Sequence, residues 1–372
     1  LQAKKPKILS LVWYKFLPAQ FGGQQRIASF NEALGKQTEL ICLCSKKNVI
    51  PTTDSYAVFP LLPNSKLQVI NPFTWLFIIQ FCKKEKITHI IIEHPYHVIS
   101  AWLLHVFFNI KIIHASHNIE FQRFKLLKKW YWEILFYAEK WLCSFAQLNI
   151  FITEQDQQTA IEQFKIAPKK CLVVPNGITP KNIQSKAIVQ QQIKLAHQIL
   201  EYHAIFLFNG TLDYAPNAKA VEDIAANLIP ALNHINKEFT IIVTGRIETP
   251  NFQYLSNLTN SQLKILGNVS NIEDYFLAAD VYINTVKLGG GVQTKTLEAL
   301  SYHLNVVCFK HMLNGIELAI ASNKLFTVDE NNWKDFAQKT WQAYSTAVNT
   351  TPEFYEYYEY DKYIKEVLKR IK

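Results

Sequence analysis

The chain has 372 residues, enough for two or three domains, and is 49% hydrophobic, 13% aromatic and 19% charged. That balance excludes a disordered chain and implies a sizeable core. The 39 Lys and Arg against 30 Asp and Glu leave a formal charge of +9, which favours anionic partners without choosing among them.

Short β-type runs recur along the chain, separated by helical stretches. In the first half they are KILSLVW from Lys7, ELICLC from Glu39, ITHIIIE from Ile87, IKIIHAS from Ile110, LNIFIT from Leu148 and CLVVPN from Cys171. In the second half they are AIFLFNG from Ala204, FTIIVTG from Phe239, LKILG from Leu263, DVYINT from Asp280 and NVVCF from Asn305. They are apolar throughout rather than alternating, as strands buried on both faces of a parallel sheet are. Strand alternating with helix, twice over, predicts two doubly wound α/β domains. The boundary is expected after Pro175-Asn176-Gly177, dividing the chain into 1–180, 181–352 and a terminal amphipathic helix over 353–372.

No apolar run reaches the roughly 18–20 residues of a membrane span. The nearest, Val98 to Ile113, is broken by His105, Asn109 and Lys111. The opening LQAKKPKIL lacks the cleavage site of a signal peptide. Cys42, Cys44, Cys82, Cys143, Cys171 and Cys308 form no CxxC pair. They read as buried free thiols of a reducing compartment, with no support for a zinc site.

Glycine is scarce, at 11 residues, so each is expected where the backbone needs it. Gly210, Gly245 and Gly267 end predicted strands, whereas Gly22-Gly23 and Gly289-Gly290-Gly291 fall in loops before helices. Gly35 and Gly315 read as ordinary loop residues. Ligands of open α/β sheets bind at the carboxyl ends of the strands, although tight strand-to-helix turns also use glycine. The richest segment is GGGVQTKTLEAL, Gly289 to Leu300. Its glycines admit a ligand to the backbone, and Val292, Gln293 and Thr294 open a helix whose free N–H groups suit phosphate. Lys295 adds a charge. Glu298, on the same helix face, can accept from a ribose diol. A nucleoside diphosphate fits this arrangement.

That segment resembles the donor-site motif of GT-B glycosyltransferases of the retaining kind, specifically glycosyltransferase family 4. FGGQQRI, SHNIEFQRF from Ser116, VVPNGI from Val173, FNGTLDYAPN ending at Asn217 and GNVSNIEDYFLAADVYINT from Gly267 resemble further family segments in order and spacing. The resemblance implies two Rossmann-like domains facing across a cleft, acceptor-side first and donor-side second, with the terminal helix returning to the first. It implies that Glu298 binds the donor ribose and that Lys295, with the amides after Gly291, holds the diphosphate. Val269 would touch the nucleobase, and Gly22 and Gly23 would approach the donor from the first domain. His117 would line the reaction centre, with Asn118 and Glu120 orienting it or acting on the acceptor. Gly210, Thr211 and Arg246 would complete the donor site.

Two departures stand out. The family's first glutamate falls on Gly290, and the Arg and Lys of the loop after the first strand of the second domain fall on Thr211 and Asn217. Lys295 and Arg246 are then left to stabilise the leaving diphosphate. No Asp-x-Asp pair occurs, so neither a metal nor another cofactor is expected.

The expected partners are a nucleotide-sugar donor and a glycan or lipid-linked acceptor, in surface polysaccharide or glycoconjugate assembly. Residues 121–142 mix Arg123, Lys125, Lys128 and Lys129 with Trp130, Trp132 and Trp141. This suits an anionic membrane surface, hence a cytoplasmic protein peripheral to the inner face of the cell membrane, and equally a core helix with a solvated basic face. A nicotinamide dehydrogenase lacks its G-x-G-x-x-G, and a nucleic-acid partner rests on charge alone. A sugar-nucleotide epimerase or a non-catalytic nucleotide-sugar-binding module would share the donor pocket.

Overall fold

The computed structural model describes residues 6–19, 22–50, 53–288 and 292–372. The chain forms two compact units, 1–177 with 359–372 and 178–358, and passes between them twice.

The first unit holds strands β1 (Lys7–Val12), β2 (Glu39–Ser45), β3 (Ala57–Leu62), β4 (His89–Ile92), β5 (Lys111–Ala115), β6 (Leu148–Phe151) and β7 (Cys171–Val173). They lie in the order β3-β2-β1-β4-β5-β6-β7, and every pairing is parallel. Its helices are α1 (Gly22–Gly35), α2 (Pro72–Lys84), α3 (Val98–Phe108), α4 (Glu120–Leu126), α5 (Trp132–Phe145) and α6 (Glu154–Phe164). Side chains alternate across the sheet, as strand geometry dictates. Ile8 and Val12 join α1 in one core, while Leu9 and Leu11 join α2, α3 and α5 in the other. Helix starts are capped conventionally: Asn71 accepts from Phe73 N at 2.9 Å with Pro72 at the first position, and Thr153 accepts from Asp156 N at 3.0 Å.

The second unit holds β8 (Ala204–Asn209), β9 (Phe239–Thr244), β10 (Leu263–Gly267), β11 (Val281–Asn284), β12 (Asn305–Phe309) and β13 (Leu325–Val328), in the order β10-β9-β8-β11-β12-β13 and again all parallel. Its helices are α7 (Lys186–Ala196), α8 (Ala215–Asp223), α9 (Ile229–Asn233), α10 (Ile272–Ala278), α11 (Thr294–Ser301), α12 (Leu318–Ala321), α13 (Trp333–Ser345) and α14 (Pro352–Tyr358). The doubly wound α/β class expected from the apolar runs is what the two sheets show. All eleven expected strands are present, and β3 and β13 join them at sheet edges.

The end of the chain differs from the single helix expected over 353–372. Two helices form. Phe354 and Tyr358 of α14 sit in the core of the second unit, and only α15 (Tyr360–Ile371) belongs to the first. There Tyr360, Ile364, Val367 and Ile371, at helical spacing, pack with α1 residues Ile27, Phe30 and Leu34. All six cysteines are buried and unpaired. No helix among the described residues is long and apolar enough to cross a membrane.

Asn48 fixes the loop that leaves β1. Its Oδ1 accepts from Phe16 N at 2.7 Å and Leu17 N at 2.8 Å, and its Nδ2 donates to Tyr14 O at 3.1 Å and Ser45 O at 2.9 Å. Asn48→Ala strands two buried N–H groups, so it should lower unfolding stability by about 2–5 kcal/mol. Urea melts of both proteins check this, and a loss below about 0.5 kcal/mol would contradict the brace.

Candidate active site

In each sheet the strand order reverses once, between β1 and β4 and between β8 and β11. Ligands of doubly wound sheets sit at this switch point, outside the carboxyl ends of the strands. Several residues singled out from the sequence stand at or after the carboxyl ends of the strands in each unit.

In the first unit, Gly22 and Gly23 are the first two residues of α1, not members of the preceding loop as expected. A Cβ on Gly23 would lie 3.8 Å from Nδ1 of His117, so the structure brings these two candidates together. His117 follows β5 and is buried. Its Nε2 lies 2.9 Å from Oε2 of Glu93, which follows β4. The contact has ion-pair geometry, but neither group favours its charge. Burial raises the Glu93 carboxyl to about 7, with Arg26 opposing, whereas burial and then Arg26 lower His117 to about 3. The pair is therefore neutral below about pH 7. The Glu93 hydroxyl donates to Nε2, and Nδ1–H of His117 faces Gly23. Above that pH the Glu93 carboxylate accepts from Nε2–H and Nδ1 becomes an acceptor.

Around this pair lies an aromatic cluster. The His94 ring is 4.6 Å from His117 and 5.7 Å from Tyr96, and Trp13 meets Tyr96 edge-on at 5.3 Å. Burial lowers His94 to about 3. Oε1 of Glu93, Nδ1 of His94 and Nε1 of Trp13 are buried without a protein partner, which marks a polar-lined site. Glu120 is itself buried. Its Oε2 accepts from Tyr96 OH at 2.8 Å and its Oε1 lies 3.4 Å from Arg123, so it braces the cluster. Asn118 is half-buried, and its carbonyl accepts from Ser116 Oγ at 2.7 Å. Arg26 of α1 is buried and donates from Nη1 to Pro175 O at 3.2 Å and Asn176 Oδ1 at 3.1 Å.

In the second unit, Gly267, Gly245, Gly210 and Asn284 stand at the ends of four adjacent strands. Gly245 has φ +141°, and a Cβ on it would sit 1.8 Å from the Gly210 carbonyl oxygen, so no other residue fits. Its N–H donates to Gly267 O at 2.8 Å. Asn217 donates to Thr211 O at 2.8 Å, so the slot where a cation is missing carries a loop brace. Arg246 Nε lies 3.2 Å from Asp213, whose carboxyl also accepts from Glu248 N and Thr249 N, so Arg246 already has a counterion. Half-buried Val269 lies two residues beyond β10. An open cavity of about 440 Å³ beside that strand is lined by Ile247, Gln253, Ser256, Ile265, Leu266 and Gly267.

Gly289, Gly290 and Gly291 lie outside the described residues. Helix α11 begins at Thr294, two residues later than the sequence suggested. Val292 instead packs against Gly315, whose φ of +79° and missing Cβ make room for it. Gly315 is thus a fitted residue rather than an ordinary loop glycine. Gln293 N donates to Asn314 O at 3.3 Å, and Asn284 Nδ2 lies 3.3 Å from both Gln293 Oε1 and Thr296 Oγ1, which ties the helix start to β11. Lys295 Nζ and Glu298 Oε2 form a half-buried ion pair at 2.8 Å. Among the described residues no group of three His, Cys, Asp or Glu side chains is placed to hold a metal.

The matches to known proteins fall on both units. A family model described as Glycosyltransferase Family 4 matches residues 22–182, and one described as Glycosyl transferases group 1 matches residues 203–346. The chain is a family 4, group 1 glycosyltransferase. No curated protein matches it by sequence. Sucrose-phosphate synthase from Thermosynechococcus elongatus shares its fold at 15% identity and TM-score 0.74, over 97% of both chains. HepE from Anabaena, solved in complex with UDP and glucose, does so at 16% identity and TM-score 0.71, over 98% of this chain and 99% of its own. WaaG, a glycosyltransferase involved in lipopolysaccharide biosynthesis, does so at 12% identity and TM-score 0.67, over 97% and 98%. The glycosyltransferase therefore has the GT-B fold, with two Rossmann-like domains.

Glu93 and Arg26 are the site residues the sequence did not single out. The signal for Glu93 was present, as an acid at the carboxyl end of the all-apolar run ITHIIIE. Its titration has a readable consequence. A carboxyl raised from 4.5 to about 7 in the fold binds its proton more tightly than in the unfolded chain, so wild-type stability falls as pH rises through that window. Glu93→Gln keeps a donor for Nε2 and removes the titration. It should melt progressively higher than wild type between about pH 4.5 and pH 8; a melting difference that does not change with pH would contradict the assignment.

Proposed function

We propose that this glycosyltransferase is a retaining enzyme that moves a sugar from a nucleoside-diphosphate sugar to a glycan or lipid-linked acceptor in surface polysaccharide or glycoconjugate assembly. The observation that carries the donor half is the Lys295–Glu298 pair at the β8/β11 switch point. It sets a cation and a hydrogen-bond acceptor on adjoining turns of a helix N-terminus. The diphosphate lies against Lys295 and the first amides of α11, and the ribose diol against Glu298. The base lies near Val269, two residues beyond β10. The complexes of HepE with UDP and glucose and with UDP-glucose support a donor of this class.

In the transfer step the acceptor hydroxyl forms a bond to the anomeric carbon as the bond from that carbon to the diphosphate oxygen breaks. The electron pair goes to the diphosphate, and the hydroxyl proton follows it. The developing charge falls on Lys295 and on main-chain amides, which do the work a metal does elsewhere. His117, Asn118 and Glu120 belong to the acceptor side, where the shared proton of Glu93 and His117 sets whether Nδ1 of the imidazole donates or accepts. The role of WaaG in lipopolysaccharide biosynthesis supports a surface glycan as the product.

Lys295→Ala and Glu298→Ala should each lower turnover by about 100-fold or more while leaving the melting temperature close to wild type. Unchanged turnover in both would overturn the site assignment. A thermal-shift panel of UDP-, GDP- and ADP-sugars should show stabilisation by one of the three, of about 2.7 kcal/mol at a hundredfold excess over Kd. Silence across the panel would overturn the donor class.

A further inference from the structure

Helix α11 has eight residues, and the last four carbonyls of a helix find no partner within it. Here all four are met. Ser301 Oγ donates to Glu298 O at 2.6 Å, Leu304 N to Ala299 O at 3.1 Å, Thr350 Oγ1 to Leu300 O at 2.5 Å and Tyr355 OH to Ser301 O at 3.0 Å. His303 N also donates to Leu300 O at 3.0 Å, and with the Leu304 bond this makes the helix end a Schellman motif.

The left-handed position of such a motif is usually glycine. Here it is His303, at φ +58°, a conformation that L side chains rarely adopt. The strain falls on a side chain that makes a contact glycine could not. Nδ1 of His303 accepts from Thr350 N at 3.0 Å, and Nε2 lies 3.4 Å from Tyr355 OH. Burial, then Lys324 and Lys186, lower the imidazole, which keeps it neutral and Nδ1 an acceptor.

The stretch that meets His303 is pinned independently. Asn305 Nδ2 donates to Ala343 O and to Thr346 O, both at 2.7 Å. Asn305 Oδ1 accepts from Nζ of buried Lys324 at 2.9 Å, and the same ammonium donates to Val348 O. Residues 343–348 are thus tied to the start of β12, and Thr350 and Tyr355 reach from this support to the end of α11.

We infer that His303 is a positioning residue: it locks the carboxyl end of α11 to the stretch 343–355 and so fixes where Lys295 and Glu298 of that helix stand against the donor. Glycine would take this backbone without strain but would leave Thr350 N without the ring. Histidine gives up stability for alignment, as residues held in sparsely populated backbone regions beside working sites do. The inference rests on the reading of α11 as the donor helix.

The full chain carrying H303G or H303N tests it. Asparagine also tolerates the left-handed conformation, and its side-chain oxygen is an acceptor for Thr350 N. Thermal-shift titrations with UDP-glucose, GDP-mannose and ADP-glucose give both the melting temperature and the donor affinity. H303G should melt at or above wild type, yet bind the sugar nucleotide that stabilises wild type about three- to thirtyfold more weakly. H303N should bind it close to wild type. Hydrogen exchange on the ligand-free proteins reads the link itself: the Thr350 amide should exchange about tenfold faster in H303G than in wild type or H303N. Donor affinity in H303G equal to wild type, a loss in H303N as large as in H303G, or a loss in H303G that comes with a lower melting temperature overturns the positioning role. A Thr350 amide equally protected in H303G overturns the link, whatever the donor result. Wild type that protects Thr350 but is stabilised by none of the three sugar nucleotides overturns the donor reading, and the purpose assigned to the link falls with it.

Discussion

A parallel strand can be joined to its neighbour only by a connection that crosses back over the sheet. All thirteen strands among the described residues are parallel, so in each unit every strand ends on one edge and the loops leaving that edge are available to a ligand. The rest follows from this. Glu93 and His117 stand beside each other because β4 and β5 are neighbours, and Gly267, Gly245, Gly210 and Asn284 form a row because β10, β9, β8 and β11 do. Helices on both faces make the strands largely apolar, so most of the polar side chains that can meet a ligand stand at the exits.

The two units treat charge in opposite ways. In the first, burial outweighs attraction, and Glu93 and His117 are held neutral around one proton. Nearby His97 and His114 are likewise kept neutral by burial, each lowered to about 4. In the second, Lys295 and Glu298 form a half-buried ion pair. A buried, aromatic-lined cluster in one unit and an ion pair in the other suit the two substrates of the proposed transfer, one a hydroxyl and one a diphosphate.

Much of this was legible in the residues. Runs such as HIII and FTIIVT admit no reading but a doubly buried strand, and they fix the sheet. Strand β3 escaped because Pro60 interrupts a half-exposed edge strand, and β13 because LFTV is a half-buried edge strand with too little pattern. The break between α14 and α15 escaped because both helices share one aromatic-rich stretch while their apolar faces turn to different units. Glu93 and Arg26 escaped for a different reason. A buried acid or base is defined by partners distant in sequence, and Arg26 meets Pro175 and Asn176 nearly 150 residues away. Gly315 was misjudged because its need for a missing Cβ comes from Val292, on another loop.

In the proposed donor site the ion pair between Lys295 and Glu298 competes with the ligand. Each side chain is already satisfied by the other before any ligand arrives. A diphosphate without a ribose would draw Lys295 away and leave Glu298 facing like charge, and a nucleoside without phosphate would do the reverse. Only a molecule that brings both groups at the right separation gains more than it disrupts. On the proposed assignment, two side chains three residues apart on one helix favour a whole nucleoside diphosphate over its fragments.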